Sequence, residues 1–166
     1  LNNFKEAQRI IKTNLKNKIN LLVKPMLGSQ GKGIKLIKKI SDIKTFAKNN
    51  KVFYLQRFMG KIEEETYSDY RVLISNHRVI SVIKRTSKSV ITNAFLGAKV
   101  EKIKHLDRFK NISEKASKIF KLSYAGLDFK IHRNKIYMIE INSIPSWKAL
   151  QTVEKKNITE ILVNDF

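Results

Sequence analysis

"VKPMLGSQGKGIKLI", residues 23–37, sets Gly28, Gly31 and Gly33 between two runs of strand-forming residues. With no side chains at those positions, a loop can lay successive backbone N–H groups against a polyanion. The spacing is not G-x-G-x-x-G, and no Ser or Thr follows Lys32, so neither the dinucleotide fingerprint nor the Walker A loop is present. Both of those motifs open a helix. Here "GIKLIKKI" reads as a strand, so the loop joins strand to strand and the fold class is α+β. An ordinary glycine hairpin would use the same residues, and the loop alone leaves that alternative open.

Outward from the loop, residues 4–17 carry Phe4, Ala7, Ile10, Ile11 and Leu15 at helical spacing, and "INLLVKP" reads as a buried strand stopped by Pro25. "SDIKTFAKNN" reads as a helix capped by Ser41 or Asp42, and "KVFYLQRFM" as a third strand. Around Gly60 the composition turns polar and acidic, "KIEEETYS", which predicts a boundary between lobes 1–60 and 61–166. The second lobe opens with a hairpin, "DYRVLIS" and "RVISVIKR" about a turn at Asn76 and His77, followed by an irregular loop, "SKSVITNAFLGAKVE". "RFKNISEKASKIFKL" offers Phe109, Ile112, Ala116, Ile119 and Phe120 as the core face of a helix. The strands "AGLDFKIH" and "KIYMIEIN" follow, then short helices around Trp147 and from Asn157.

A turn at Arg133, Asn134 and Lys135 would set Asp128 directly opposite Glu140, with Asn142 on the same strand face as Glu140. Facing carboxylates destabilise a sheet unless a cation bridges them. Two carboxylates and an amide carbonyl form a hard, all-oxygen donor set suited to Mg2+, or to Mn2+, with waters and phosphates completing the octahedron. A register differing by one residue would instead leave them as solvated edge groups. His77, His105 and His132 lie near turns among lysines and read as solvated.

The 166 residues are 42% hydrophobic, enough to bury a core. With no cysteine, disulfides and thiolate metal sites are excluded, and a cytoplasmic location is expected. No apolar run reaches the roughly 20 residues of a membrane span, so no membrane partner is expected. The first residue is Leu1 rather than Met, so a further N-terminal portion is expected. The net charge of +20 would attract nucleic acid, nucleotides or acidic peptides, but the lysines are spread through every segment, and a compositional bias explains them equally well. Neither base-stacking aromatics on a sheet nor a basic recognition helix is evident, which argues against a nucleic-acid partner.

In order, "VKPMLGSQGKGI", "YLQRFM", "DYRVLI", "ITN", "AGLDF" and "IEINSIPSW" resemble the successive motifs of the ATP-grasp superfamily, in its RimK-type glutamate ligase branch. The resemblance implies the ATP-grasp fold: two α+β lobes with the nucleotide between them, and an N-terminal pre-ATP-grasp domain missing from this chain. It also implies an ATP-dependent ligase that forms an amide through an acyl phosphate, adding glutamate to an acidic carboxylate acceptor, small molecule or peptide. "NSIPSWKALQ" is most similar to relatives that add glutamate to tetrahydromethanopterin. Ile91 stands where the ribosomal-protein branch often has a basic residue.

Carried across, Lys24 holds the nucleotide phosphates, and Gly28, Ser29, Gln30, Gly31, Lys32 and Gly33 cover them. Gln56, Arg57 and Phe58 meet the adenine, with backbone contacts only at Arg57, where relatives often have Glu. Asp69 lies near the ribose and substrate entrance, Arg71 and Arg85 reach the phosphate and acyl phosphate oxygens, and Asn93 sits by the phosphates. Asp128, Glu140 and Asn142 ligate magnesium. The rival expectations are a basic nucleic-acid-binding module, and an ATP-grasp fragment without catalysis that needs a partner, whether an N-terminal domain or a second copy in a homo-oligomer.

Overall fold

Alternation along "LLVKP" places Leu21 and Val23 on one strand face and Leu22 and Lys24 on the other, and helices cover only the first of these. The computed structural model describes residues 4–27, 31–49, 52–60, 64–104 and 107–166, and divides the chain into two compact units, Leu1–Glu65 and Thr66–Phe166. In the first, β1 (Leu21–Pro25) is the middle strand of an antiparallel sheet between β2 (Lys35–Ile37) and β3 (Phe53–Arg57). Helix α1 (Phe4–Lys16) brings Ala7 and Ile11, and α2 (Ile40–Asn49) brings Ile43 and Phe46, onto Leu21, Val23, Ile37 and Phe53. Phe46 and Phe53 meet edge to face, with centroids 5.9 Å apart. The opposite face carries Lys24 paired with Tyr54, and Leu22 paired with Gln56.

Strand follows loop as expected, and Gly33 needs its φ of 78° where a Cβ would lie 3.2 Å from the Pro25 ring. Ser41 and Asp42 fall inside the first turn of α2 rather than at its cap. Asp42 instead reaches back to accept from the amides of Lys38 and Lys39, at 2.8 and 3.0 Å.

The second unit is built on an antiparallel sheet in the order β6-β5-β4-β7-β8. Its strands are β4 (Tyr67–Ser75), β5 (Arg78–Ser87), β6 (Lys99–Lys102), β7 (Ala125–His132) and β8 (Lys135–Asn142). Helix α3 (Asp107–Ile119) covers one face, with the Phe109 ring packed at a tilt against Phe129 and Tyr70. Helices α4 (Lys148–Gln151) and α5 (Ile158–Asp165) bring Leu150 and Ile158 onto Leu73 and Ile83 of the other face. Strand β6 overlaps the end of the stretch expected as irregular loop. Its "KVEK" is dominated by charge, as suits an edge strand, and charge hides it from a hydrophobic reading.

The core face of α3 also departs from expectation. Phe109, Ser113, Ala116 and Ser117 are buried, whereas Ile112, Ile119 and Phe120 are 40%, 65% and 52% exposed. Small serines let the helix lie close to the sheet. Ser117 donates to the Leu122 carbonyl, so the 2.7 Å bond from His77 Nδ1 has the ring as donor, and His77 is anchored rather than solvated.

Both hairpins turn on two residues at positive φ, Asn76–His77 (46° and 58°) and Arg133–Asn134 (48° and 62°), so the second loop is one residue shorter than expected. Continued regularly from His132↔Lys135, the ladder would set Asp128 against Ile139. A bulge leaves Ile139 unmatched and restores Asp128↔Glu140. In the first hairpin, Ile80 is skipped in the same way, which pairs Asp69 with Arg85 instead of Lys84. Each slip matters because neighbouring residues point to opposite faces: without it, Arg85 and Glu140 would point into the α3 core.

At the end of α3, exposed Lys121 holds φ 53° while Leu122 N–H closes back on the Ser117 carbonyl at 2.9 Å. Lys121→Gly removes about 1–2 kcal/mol of left-handed strain and adds about 0.5–1 kcal/mol of unfolded-state entropy. Urea denaturation is therefore expected to show a net gain of about 0.5–1 kcal/mol. An unchanged or lower midpoint would contradict this account of the helix end.

Candidate functional site

On the α4 and α5 side of the second sheet, buried Leu73 and Ile83 give way along β4 and β5 to Arg71, Asp69 and Arg85. Strand β7 adds Asp128, opposite Arg71, and β8 adds Glu140, opposite Asp128. Opposite charges thus face each other from β5 to β4 and from β4 to β7, while β7 and β8 set two acids side by side. Arg85 donates from Nε and Nη2 to the two oxygens of Asp69, each at 2.6 Å, and its Nη2 lies 3.1 Å from Asp128 Oδ1. Arg71 grips the same Asp128 with Nε on Oδ1 and Nη2 on Oδ2, the latter at 2.8 Å. Such paired donors on a carboxylate are the geometry that arginine supplies and lysine cannot.

Burial would by itself raise the Asp128 carboxyl, but the hydrogen bond from Arg71 and the charges of Arg85 and Arg71 outweigh it and hold Asp128 below the usual carboxylate value. For Asp69, burial dominates and raises the carboxyl despite Arg85 and Thr92, with the neighbouring charge of Asp128 adding to the rise. Burial opposes the charge of Arg85, yet Asp128 and Asp69 between them raise its guanidinium above the usual value, so it stays protonated.

Not every oxygen in this cluster is spent. Asp128 Oδ1 accepts from both arginines, while Oδ2 accepts one bond and keeps a lone pair. Asn142 sits opposite Gly126, two residues beyond Glu140 on the same face, and its Oδ1 accepts from Ile144 N–H at 2.9 Å, again with a lone pair left. Glu140 is exposed. The expected trio therefore retains oxygen capacity for a hard cation, although among the described residues no three His, Cys, Asp or Glu side chains cluster for one.

Three residues not singled out in the sequence shape this face. A Cβ on Gly126 would lie 2.6 Å from Pro145 Cβ and 3.2 Å from Arg71 Nη1, so only glycine lets the guanidinium pass beneath the proline. Tyr124 Oη donates to the Pro145 carbonyl at 2.6 Å and pins the segment after Asn142. Thr92, buried beside Asp69, precedes Asn93. Gly126 and Thr92 lie within "AGLDF" and "ITN", and Tyr124 directly precedes the first, which is the sequence signal they carry.

Asn93 itself accepts from Phe95 N–H at 2.8 Å and caps a short 3-10 turn, Ala94–Leu96, so its Oδ1 is already engaged. In the first unit, Lys24 and Gln56 share the face opposite the helices, and Gln56 Oε1 is buried with no hydrogen-bond partner. Arg57 is exposed. The Phe58 amide donates to the Asn20 carbonyl at 2.8 Å, so that donor is engaged within the unit. Gly31, Lys32 and Gly33 form the turn before β2; Gly28, Ser29 and Gln30, and His105 elsewhere, lie outside the described residues. No described helix is long and apolar enough to cross a membrane.

The family profile of the RimK-like ATP-grasp domain matches residues 2–165. The tetrahydromethanopterin:alpha-L-glutamate ligase of Methanococcus maripaludis is 30% identical over 152 residues, which cover 88% of this chain and 52% of the relative. Its namesake from Methanocaldococcus jannaschii is 26% identical over 178 residues, covering 98% and 61%. The chain thus spans little more than half the length of these relatives. Among solved structures, the ATP-grasp ligase PsnB complexed with minimal precursor, Mg and ADP aligns with a TM-score of 0.68 at 16% identity, covering 99% of this chain and 51% of that one. That likeness is one of fold.

Asp128→Asn leaves two buried guanidinium groups short of a counter-charge, a change expected to lower unfolding free energy by about 3–5 kcal/mol at pH 7. Because the folded value of Asp128 is depressed, its contribution is complete above the ordinary carboxylate value of about 4 and is lost as pH falls through the lower folded value. Denaturant titrations of wild type and variant should therefore converge below pH 4. A gap of constant size down to pH 2 would show that the carboxylate charge is not what stabilises the cluster.

Proposed function

This chain belongs to the RimK-like ATP-grasp family, and on that premise we propose that it forms amide bonds driven by ATP, joining the amine of L-glutamate to an acidic carboxylate acceptor. The observation that carries the reading is Asp128, held by two arginines and faced by Glu140 with Asn142 on the same strand face.

The chemistry follows from balance of charge. An oxygen of the acceptor carboxylate attacks the γ-phosphorus of ATP, the bond from that phosphorus to the bridging oxygen breaks, and ADP leaves an acyl phosphate behind. The glutamate amine then attacks the acyl carbon and loses a proton, and inorganic phosphate departs with the C–O electron pair. Phosphoryl transfer asks a protein chiefly to align anions and neutralise their repulsion. Arg71 and Arg85 suit that role, because their Nε and Nη2 atoms are spent on carboxylates and each keeps an Nη1 edge for an anionic oxygen. Because they are held before substrate arrives, little reorganisation is needed when charge develops.

Asp128 Oδ2, Glu140 and Asn142 Oδ1 would hold Mg2+, or Mn2+, which when bound neutralises phosphate oxygens. Lys24 and residues 28–33 are assigned to the nucleotide phosphates. The unpartnered Gln56 Oε1, on the Lys24 face, offers an acceptor for the exocyclic amine of adenine.

The test is ADP release by this chain from MgATP, screened over amino acids and acidic acceptors. Release that requires both glutamate and an acceptor is expected. Glu140→Gln, at an exposed position, should melt as wild type does yet turn over on the order of 100-fold more slowly, since a metal contributes several kcal/mol and each ~1.4 kcal/mol is a factor of ten. Failure to bind MgATP by calorimetry would defeat the ligase reading. Wild-type turnover by Glu140→Gln would defeat the metal assignment alone.

A further inference from the structure

Asp69 was expected near the ribose, yet both of its oxygens are turned onto Arg85, each at 2.6 Å, and buried Thr92 lies beside the same carboxylate and favours its charged form. Asp69, Arg85 and Thr92 are all buried, at 9%, 6% and 4% exposure. Little of Asp69 remains to touch a ligand. Thr92 is itself fixed by its segment: Ser87 Oγ accepts from the Ser89 amide, Ser89 Oγ accepts from the Ile91 amide, and Asn93 caps the turn that follows.

Arg85 stands between two carboxylates. Its Nη2 already lies 3.1 Å from Asp128 Oδ1, so without the pull of Asp69 the guanidinium would swing fully onto Asp128. There it would compete with Arg71 for Asp128, and its Nη1 edge would change direction. We infer that Asp69, backed by Thr92, is a positioning residue that holds Arg85 off Asp128 and aims its free edge at the phosphoryl group in flight, rather than a nucleotide contact. The inference rests on the ligase reading and deepens it.

Charge and orientation make opposite forecasts. Asp69→Asn removes one negative charge, so if only net charge mattered, an anion beside Arg85 would bind more tightly. If orientation matters, it binds more weakly. Orthophosphate, the product anion of the proposed reaction, is the probe, titrated by calorimetry into the full chain saturated with MgADP. Asp69→Asn is expected to bind MgADP within about twofold of wild type and orthophosphate about tenfold more weakly, as for loss of one charge-assisted hydrogen bond.

Thr92→Val should weaken orthophosphate in the same sense, and Thr92→Ser, which keeps the hydroxyl, should restore it. The Thr92 pair decides the matter if Asp69→Asn does not fold. Equal or tighter orthophosphate binding by Asp69→Asn overturns the inference. So does loss of MgADP affinity by a variant that melts like wild type, since Asp69 would then contact the nucleotide. Wild-type chain that binds no MgADP would defeat the ligase reading itself, a result distinct from either.

Discussion

The second unit is organised around the sharing of one carboxylate. Asp128 accepts from Arg71 and Arg85 and faces a second acid, Glu140, across the strand gap. A buried acid with one basic partner is a locked structural pair, whereas an acid with no partner takes up a proton. Two guanidinium groups keep Asp128 ionised in a half-buried setting and still leave part of one oxygen unspent. Each arginine needs its own second restraint. Asp69 holds Arg85, and the glycine at 126 gives Arg71 its space under Pro145.

Those restraints come from backbone as much as from side chains. In each long hairpin, a tight turn with both central residues at positive φ is followed by a single skipped residue, Ile80 or Ile139, before the charged rung is reached. The turn supplies the strand twist, and the skipped residue shifts side-chain alternation by one step. Apolar residues near each tip thus pack toward α3, while Arg85 and Glu140 come out on the polar side.

Much of this was legible in the chain. The strand on either side of the glycine loop, both hairpins, the turn at Asn76–His77 and the pairing of Asp128 with Glu140 could be read from β-propensity and alternation. The last pairing does not depend on the turn type, since a three-residue loop and a two-residue loop with a bulge give the same offset, and the chain uses the second. Strand β6 was hidden by its charges, and the face of α3 by serines packed where isoleucine and phenylalanine were expected. The supports at Thr92, Tyr124 and Gly126 were out of reach for a different reason: each acts on a residue from another strand or segment, and sequence spacing does not encode that proximity.

The skipped residues also bear on how such a gene can change. Between each hairpin tip and its charged rung, gain or loss of one codon reverses the parity of the strand and exchanges its wet and dry sides, whereas a change of two codons preserves parity. The tips lie outside that count. Recoding Asn76–His77 or Arg133–Asn134 to another pair that accepts a left-handed backbone gives up the local bonds to Ser117 and Arg108 but keeps the parity of the rungs beyond. Drift in length is thereby steered to the ends of the hairpins and away from their middles.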